Sequence, residues 1–594
     1  MPKKWRIKSH DAGQVESYQN ATGLPPLVAQ LLIARGIPPT AAADFLDPRL
    51  TELRSPDELP GIPQAAQRVA TAIGQRQRIV VYGDYDADGI SATAILVRCL
   101  RLLEADVHYY IPNRLDEGYG LNATALQQIA TAGTSLIVTV DCGIASLAEA
   151  GLVRELGMDL IITDHHCPAE RLPEAVAIVH PGLPGSSYPF AGLCGAGVAF
   201  KLAWAICQQV CGSQRVTPPL KDFLLQAVGL AAIGTVADVV PLQDENRILV
   251  HHGLCSLRHC PPLGCAQLMQ QAKIFDKPAL ASEDIAFTLA PRLNAAGRLG
   301  QAMLAAELLI TEDQGRAGSL AEYLHELNKS RDSLERSVYK AARQQAEADL
   351  DAGQETALVL AGRGWHAGVI GIVAGRLVEK FHRPVLLVAL DPAGSRPGVG
   401  SGRTIPGFNL VEGLASCQEL LVSHGGHAAA AGFKVEEGQL DSLRTAFCQY
   451  ARENLSEAEL QAELTIDGEI PFAALTLDAL EQLERLAPFG QGNPRPLLCT
   501  TDVQLAAEPQ TIGGGDRHLA LQLAQHGVRI RGVAFGRGEY ADQLAQGDGL
   551  FSFAYRPVIN TFRNRRRVEI HVVDWQSASA AERKIPGQTL LSGP

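Results

Sequence analysis

The sequence predicts a multidomain α/β protein in which a parallel-sheet domain and a smaller α/β domain are joined by a long helix and followed by a C-terminal β-barrel. Three observations carry this. Val- and Ile-rich runs, RIVVYGD, SLIVTVDCG, MDLIITDHH and AVAIVHP, alternate with helical stretches between Arg78 and Pro181, which is the signature of βαβ units in a parallel sheet. A second such unit begins near Thr356. Beyond about Leu464 the texture changes to short alternating segments separated by Gly, Asp and Asn, as an antiparallel barrel requires. At 594 residues the chain is too long for one core, given ~150 residues per domain.

In chain order, residues 1–50 hold two short helical patterns, PPLVAQLLIARG and TAAADFLDP, and read as a helical cap. The first α/β domain takes 51–310, with ISATAILVRCLRLLEA and ASLAEAGLVREL as its crossover helices. Residues 311–350 include LAEYLHELNKSRDSLERSVYKAARQQAEADL, a connecting helix expected to start at the capping pattern Ser319-x-x-Glu322. In 351–460 the runs ETALVLAG, GVIGIVAGRLVEKF and RPVLLVAL form the second α/β domain. HLALQL, VRIRGVAF, GLFSFAYRP and RRVEIHVVDW supply barrel strands within 461–575, and 576–594 is a tail.

Composition narrows the function classes. The start, MPKKWRIKSH, leads into no apolar signal region, and no uninterrupted apolar run reaches the ~18 residues of a membrane span, so a cytoplasmic protein without membrane association is expected. Twelve cysteines without a CxxC pair read as buried thiols before they read as a zinc site. A net charge of −12 excludes a surface coated for nucleic acid but not a basic groove. Arg529, Arg531, Arg537, Arg556, Arg563, Arg565, Arg566 and Arg567 offer a local basic face.

The polar residues fall where open α/β sheets place ligands, at the carboxyl ends of the strands. In VYGDYDADGI, Asp84, Asp86 and Asp88 follow the first strand; Asp141 ends the second, and Asp164, His165 and His166 end the third. Carboxylates this close raise one another's pKa unless a cation compensates. With Asp238 of GTVADVVP they form a hard oxygen set with one imidazole, suited to Mn²⁺ or Mg²⁺. There are enough carboxylates for two ions, as in hydrolases that clamp both oxygens of a phosphoester. A lone Asp after a strand is an ordinary N-cap and a lone His pair an ordinary surface feature; their recurrence at successive βα junctions favours a metal centre. Other motifs fail: there is no GxxxxGK[ST] and no GxSxG, and HELNK lacks a second histidine. GAGVAFK around Gly195 resembles a phosphate loop only weakly, and close helix packing explains it better.

DYDADG, VDCG, TDHH and GTVADVVP, in this order and spacing, resemble motifs I to IV of the DHH phosphoesterase superfamily. GSGRTIPGFNL and GGHAAAAGF resemble its DHHA1 subdomain. IPNRLDEGYGL, PRLNAAGR and APFGQGNPRP extend the likeness over most of the chain, towards the superfamily's exonucleases specific for single-stranded DNA. The resemblance implies two divalent cations, Mn²⁺ or Mg²⁺, one held by Asp84, Asp86 and Asp141 and the other by Asp88, Asp141, His165 and Asp238. It makes His166 a donor to the scissile phosphate and Asp164 the residue that orients an imidazole.

The resemblance further places Arg114, Ser401, Gly402 and Arg403 at a 5′-phosphate pocket, Arg298 on the backbone, and His427 in a DNA-facing wall where tight helix packing is the alternative. Trp365 and His366 sit at a strand-to-helix junction, where capping is the simpler role. The terminal module resembles an oligonucleotide-binding (OB-fold) barrel, in which Phe489, Phe535, Tyr555 and Phe562 are candidates for base stacking, a subset at most, and Arg563, Arg565, Arg566 and Arg567 for phosphate attraction. The activity implied is 5′ to 3′ hydrolysis of single-stranded DNA to mononucleotides in recombination and repair. The expected partners are single-strand-binding protein and a helicase, with the enzyme a monomer. Alternatives are a phosphodiesterase for oligoribonucleotides or cyclic dinucleotides, and a non-catalytic replication scaffold.

Overall fold

A computed structural model of the chain describes residues 3–113, 117–351, 356–546, 549–562 and 565–577. It divides into two compact units. The larger comprises Arg49–Gln461 with Pro488–Gly492, and the smaller Met1–Pro48, Ala462–Ala487 and Asn493–Pro594.

The larger unit is built on a parallel sheet of β1 (Ile79–Gly83), β2 (Val107–Tyr110), β3 (Leu136–Val140), β4 (Asp159–Thr163) and β5 (Ala177–Val179), in the order β2-β1-β3-β4-β5. β1 and β3 are buried throughout, as strands covered on both faces by helices must be. Register aligns the strand ends: Gly83 pairs with Val140, and Thr163 with Val179, so Asp84 and Asp141 leave the sheet side by side.

Three apolar helices pack on one another, α1 (Ala87–Leu102), α2 (Gly195–Cys211) and α3 (Pro218–Ala237), and α1 and α2 also pack on the sheet. Ile95, Leu96, Leu202, Ile206, Leu230 and Ile233 are buried at their contacts; each contributes roughly 1.5–3 kcal/mol. α3 is long and apolar enough, by length and composition, to cross a membrane. Its apolarity has a local cause: residues Ala227–Thr235 are enclosed by neighbouring helices.

A helical run then passes from Ser282–Asp284 through a π-helical turn, Ile285–Leu289, into α4 (Ala290–Arg298). The connecting helix α5 spans Gln314–Asp351, so it starts before Ser319. Asp313 is the residue that meets the first free N–H groups, accepting from Arg316 N at 2.6 Å. The Ser319 hydroxyl instead donates back to the Gly315 carbonyl at 3.0 Å, the usual fate of a serine inside a helix.

The second α/β module carries β6 (Leu358–Arg363), α6 (Ala367–Phe381), β7 (Val385–Leu390), β8 (Gly398–Arg403), β9 (Ser423–His427) and β10 (Ala430–Val435). Its sheet order is β9-β10-β8-β7-β6, with β6 and β7 parallel and the rest antiparallel. GGHAAAAGF is therefore a hairpin, not a helix, exposed along β9 while Ala431 and Phe433 of β10 are buried. Gly426 at φ 139° adopts a backbone that favours glycine, which breaks the helical pattern the alanines suggest.

In the smaller unit, Lys4–Ile7 pairs in parallel with Glu463–Ile466, which ties the N-terminal helices Ala12–Thr22 and Pro26–Ala34 to the C-terminal half. The barrel strands are β11 (Leu498–Leu505), β12 (His518–Gln525), β13 (Val528–Ala534), β14 (Phe551–Phe562) and β15 (Arg565–Ser577), and an additional β11–β12 pairing turns the sheet back on itself. Tyr555 and Phe553 fill its core, whereas Phe535 is 57% exposed. Phe489 belongs to the larger unit, buried where its carbonyl accepts from Ser282, because APFGQGN leaves the barrel sequence to pack on the helical run. It is not available for stacking, and neither is Tyr555.

Candidate metal centre

The carboxyl ends of β1, β3 and β4 bring the predicted acids and imidazoles together. Within ligand reach of one another are Asp84, Asp86 and Asp141, then Asp88, His165 and Asp238, and also Asp141, His165 and His166. His165 Nε2 lies 3.1 Å from Asp141 Oδ1, 3.5 Å from Asp238 Oδ2 and 3.9 Å from Asp88 Oδ2. Asp141 reaches this position on a left-handed backbone, φ 63°, which aspartate tolerates better than most residues. Its N–H donates to the Thr163 carbonyl at 3.0 Å. No cysteine joins the cluster among the described residues.

Asp164 holds the loop rather than offering a ligand. One carboxylate oxygen accepts from the backbone N–H groups of His165 and His166 and from His166 Nδ1 at 2.7 Å, and the other accepts from Ile144 N. The ring it orients is therefore His166's, whose Nε2 is left for a ligand, and not His165's. His180, closing AVAIVHP, donates from Nε2 to the His166 carbonyl at 2.7 Å while its Nδ1 accepts from Gly182 N.

The electrostatics fit divalent cations. Asp141 Oδ1 and His165 Nε2 are buried, yet neither makes a hydrogen bond among the described residues. Orphaned polar atoms of this kind are costly without a ligand. Burial, then the charges of Asp88, Asp86 and Asp84, hold the Asp141 carboxyl well above its ordinary range. Burial and Asp86 push Asp88 up to about 6, and burial with Asp88 and Asp86 pushes Asp238 up to about 8. Burial and the neighbouring His166 bring His165 down to about 4, so its imidazole is neutral and fit to ligate. For His166 burial works against the cation, but the Asp164 hydrogen bond and the charges of Asp164, Asp238 and Asp84 outweigh it and raise the ring to about 9.

Asp88, Asp141, Asp238 and His166 all bind protons more tightly folded than unfolded. The stability this contributes is present at low pH and is lost as pH rises through about 6, about 8 and about 9. The metal-free protein is thus expected to melt at a lower temperature at pH 9 than at pH 6. Added Mn²⁺ should restore it, with the larger increment at pH 9, where fewer protons compete for the carboxylates. Calorimetry with and without Mn²⁺ at both pH values checks this; an increment that does not grow with pH would contradict it.

Several participants carry no charge and do not stand out in the sequence. Gly195 N and Ala196 N, at the start of α2, donate to the Asp88 carboxylate at 2.7 and 2.8 Å, a helix N-terminus holding an anion. A Cβ on Gly195 would run into the Asp141 carboxylate, and one on Gly234 into Asp88. The Asn294 side chain of α4 accepts from Ala87 N at 2.8 Å, and Asp86 caps α1 by accepting from Asp88 N and Gly89 N. Tyr119 donates to the Asp141 carbonyl at 3.2 Å and stands 3.0 Å from His166 Nδ1. The GAG before an apolar helix is the legible signal for the first of these. The others require the fold.

A second cluster forms at the first turn of α6, which His366 caps by accepting from Gly368 N. Arg298 Nη1 donates to the Gly368 carbonyl at 3.2 Å, and a Cβ on Gly371 would lie 3.0 Å from Ser401 Oγ and 3.2 Å from Arg403 Nη2. Gly402 is buried in β8 between them. In the sheet, Arg403 pairs with Ala430, which pairs with His427, so His427 is exposed two strands from Arg403. Arg565, Arg566 and Arg567 are exposed on β15, with Arg566 paired to Glu481 at 2.7 Å. Arg114 and Arg563 lie outside the described residues, as does the Phe562 side chain.

Comparison with known proteins identifies relatives of the whole chain. Family models match residues 78–234 (DHH family, N-terminal domain), 354–453 (DHHA1 domain) and 466–574 (RecJ OB domain). The single-stranded-DNA-specific exonuclease RecJ of Bacillus subtilis (strain 168) is 38% identical over 575 residues, 96% of this chain and 70% of that protein. RecJ of Escherichia coli (strain K12) is 36% identical over 564 residues, 92% of this chain and 95% of that protein. The crystal structure of RecJ from Thermus thermophilus in complex with Mn²⁺ superposes with a TM-score of 0.81 at 33% identity, covering 97% of this chain and 80% of that one. Its Mg²⁺ complex gives 0.75 at 32%, covering 97% and 79%. With its likeness running nearly end to end, the chain belongs to the RecJ family of single-stranded-DNA-specific exonucleases.

Proposed function

We propose that this chain hydrolyses single-stranded DNA from its 5′ end to mononucleotides, dependent on two divalent cations, Mn²⁺ or Mg²⁺, in recombination and repair. The observation that carries the reading is the pair of buried ligand atoms without hydrogen bonds, Asp141 Oδ1 and His165 Nε2, at the convergent ends of the parallel strands. Asp84, Asp86 and Asp141 would hold one ion and Asp88, Asp141, His165 and Asp238 the other. When bound, the ions supply the charge that clamps the attacking and leaving oxygens of a phosphodiester.

The chain's own residues do the rest. His166, kept cationic by Asp164, donates from Nε2 to a non-bridging phosphate oxygen, where negative charge builds up. Arg298, Ser401 and Arg403 at the first turn of α6 grip a terminal phosphate, and so set the polarity. In this reading Arg114 also acts on the 5′ phosphate, and His427 belongs to a DNA-facing wall. Residues 51–310 carry the chemistry, 351–460 the terminal pocket, and 461–575 bind a further stretch of the strand. There Phe535 is the exposed aromatic, edge-on to His518 and His571 at 5.4 and 5.0 Å, and Arg565, Arg566 and Arg567 attract phosphates, which makes affinity fall with salt. We further propose a cytoplasmic monomer that works with a single-strand-binding protein and a helicase.

Polarity is the decisive test. An end-labelled single strand blocked at its 3′ end should be degraded at full rate with Mn²⁺ or Mg²⁺, and one blocked at its 5′ end should survive. Equal degradation of the two would overturn the assigned pocket.

A further inference from the structure

Two exposed apolar side chains, on elements that meet the metal centre, are placed at a cost that the protein alone does not explain. Val239 directly follows Asp238, the C-cap of α3, and is 65% exposed. Its φ is 60°, and it is the only β-branched residue among the described non-glycine residues with a left-handed backbone; the others are charged residues or histidine, which turns accommodate. For a β-branched side chain this conformation is an outlier, and strain of this kind persists at functional sites.

Phe287 is the second. It is 78% exposed in the π-helical turn whose neighbours Ile285 and Leu289 are buried. π-turns inside helices recur where a helix presents a functional side chain. The turn packs against α3 and leads directly into α4, which carries Asn294. Asn294 accepts from Ala87 N at the start of α1, beside Asp86 and Asp88. Val239 thus adjoins Asp238, and Phe287 sits on the run that both packs on α3 and supplies Asn294 to the acid cluster.

We propose that Val239 and Phe287 form an apolar ledge that receives the unpaired nucleobases of the strand whose phosphate occupies the metal centre. This rests on the reading that the chain acts on single-stranded DNA. A strand that offers a phosphate to the carboxylates must direct the attached bases onto the neighbouring surface, where Val239 and Phe287 offer exposed apolar groups. Neither bears a hydrogen-bonding group, so the contact accepts all four bases alike. A duplex hides its base faces in the stack, so the same ledge favours a single strand. The strain at Val239 holds the side chain up against a ligand before one arrives, which lowers the ordering cost of binding.

The test measures binding in an Asp141→Asn background, so that the strand stays intact, using oligonucleotides with one abasic residue placed successively along the first positions from the 5′ end. In that parent, loss of one particular base should weaken binding about tenfold, the usual worth of a stacked base. Val239→Gly, which also relieves the backbone, and Phe287→Ala should bind the intact strand about tenfold more weakly and lose less than twofold further on the abasic strand. Phe287→Trp should restore the parent pattern. The ledge is overturned if both variants bind the intact strand like the parent, or if every abasic position costs variant and parent equally. A wild-type enzyme that leaves single strands undegraded would instead sink the underlying reading.

Discussion

Asp141→Ala is expected to abolish nuclease activity, by on the order of a thousandfold or more, while single-strand binding persists. Among the described residues, Asp141 is the one carboxylate that lies within ligand reach of Asp84 and Asp86 and also of His165, so its removal would affect both proposed ligand sets at once. Its backbone should not be the cause of the loss, because Asp141→Asn keeps both the size and the tolerance of φ 63° and should be equally inactive. The two variants separate on stability. The Asp141 carboxyl is held far above its ordinary pKa by burial and by Asp88, Asp86 and Asp84, so its charge destabilises the metal-free fold at neutral pH. Asp141→Asn removes that charge and should raise the melting temperature of the metal-free protein while lowering the gain from added Mn²⁺. Single-turnover digestion, fluorescence anisotropy with a labelled oligonucleotide, and calorimetry give the three readouts. Retained cleavage by either variant would mean that the chemistry lies elsewhere.

Gly195→Val is expected to cost roughly a hundredfold in activity, at the upper end of what residues behind metal ligands contribute. The N–H of Gly195 would remain available to Asp88, but any side chain there meets the Asp141 carboxylate, and neighbouring Ala196 and Leu193 are buried and cannot yield. The relief available is rotation of the Asp141 carboxylate away from His165, which separates the ligand sets. Mn²⁺ titration by calorimetry should show weakened binding, with circular dichroism unchanged. A variant with wild-type Mn²⁺ affinity would show that this contact does not position Asp141.

Much of this protein was legible without coordinates, for reasons that can be named. The strands of the first sheet stand out because burial on both faces leaves continuous apolar runs such as LIVTV. The metal centre stands out because βα junctions are where such sheets gather ligands, and Asp84, Asp141 and Asp164 each fall one residue beyond a strand. Local pattern misled where competing partners were out of view. Ser319 has a capping sequence, but Asp313 reaches the free N–H groups of α5 first. Four small alanines are compatible with helix packing until the chain reverses at Ala428 and Ala429 and pairs β9 with β10. Phe489, Tyr555 and Phe535 are chemically alike in sequence, yet two are buried and one is exposed.

The sequence by itself determined which chemistry this chain can hold: its acids and imidazoles, their order, and the strands that carry them are properties of local spacing. Only the tertiary structure decided how those groups are divided and held. Asp88 is gripped by a helix that begins 107 residues later; Asn294 locks the start of α1 from 207 residues away; and Arg298, Ser401 and Arg403 come from separate elements to the start of α6. Periodicity reports only on neighbours along the chain. Contacts across such separations are set by how buried surfaces pack together, and that is where the uncharged participants, Gly195, Asn294 and His180, acquire their roles.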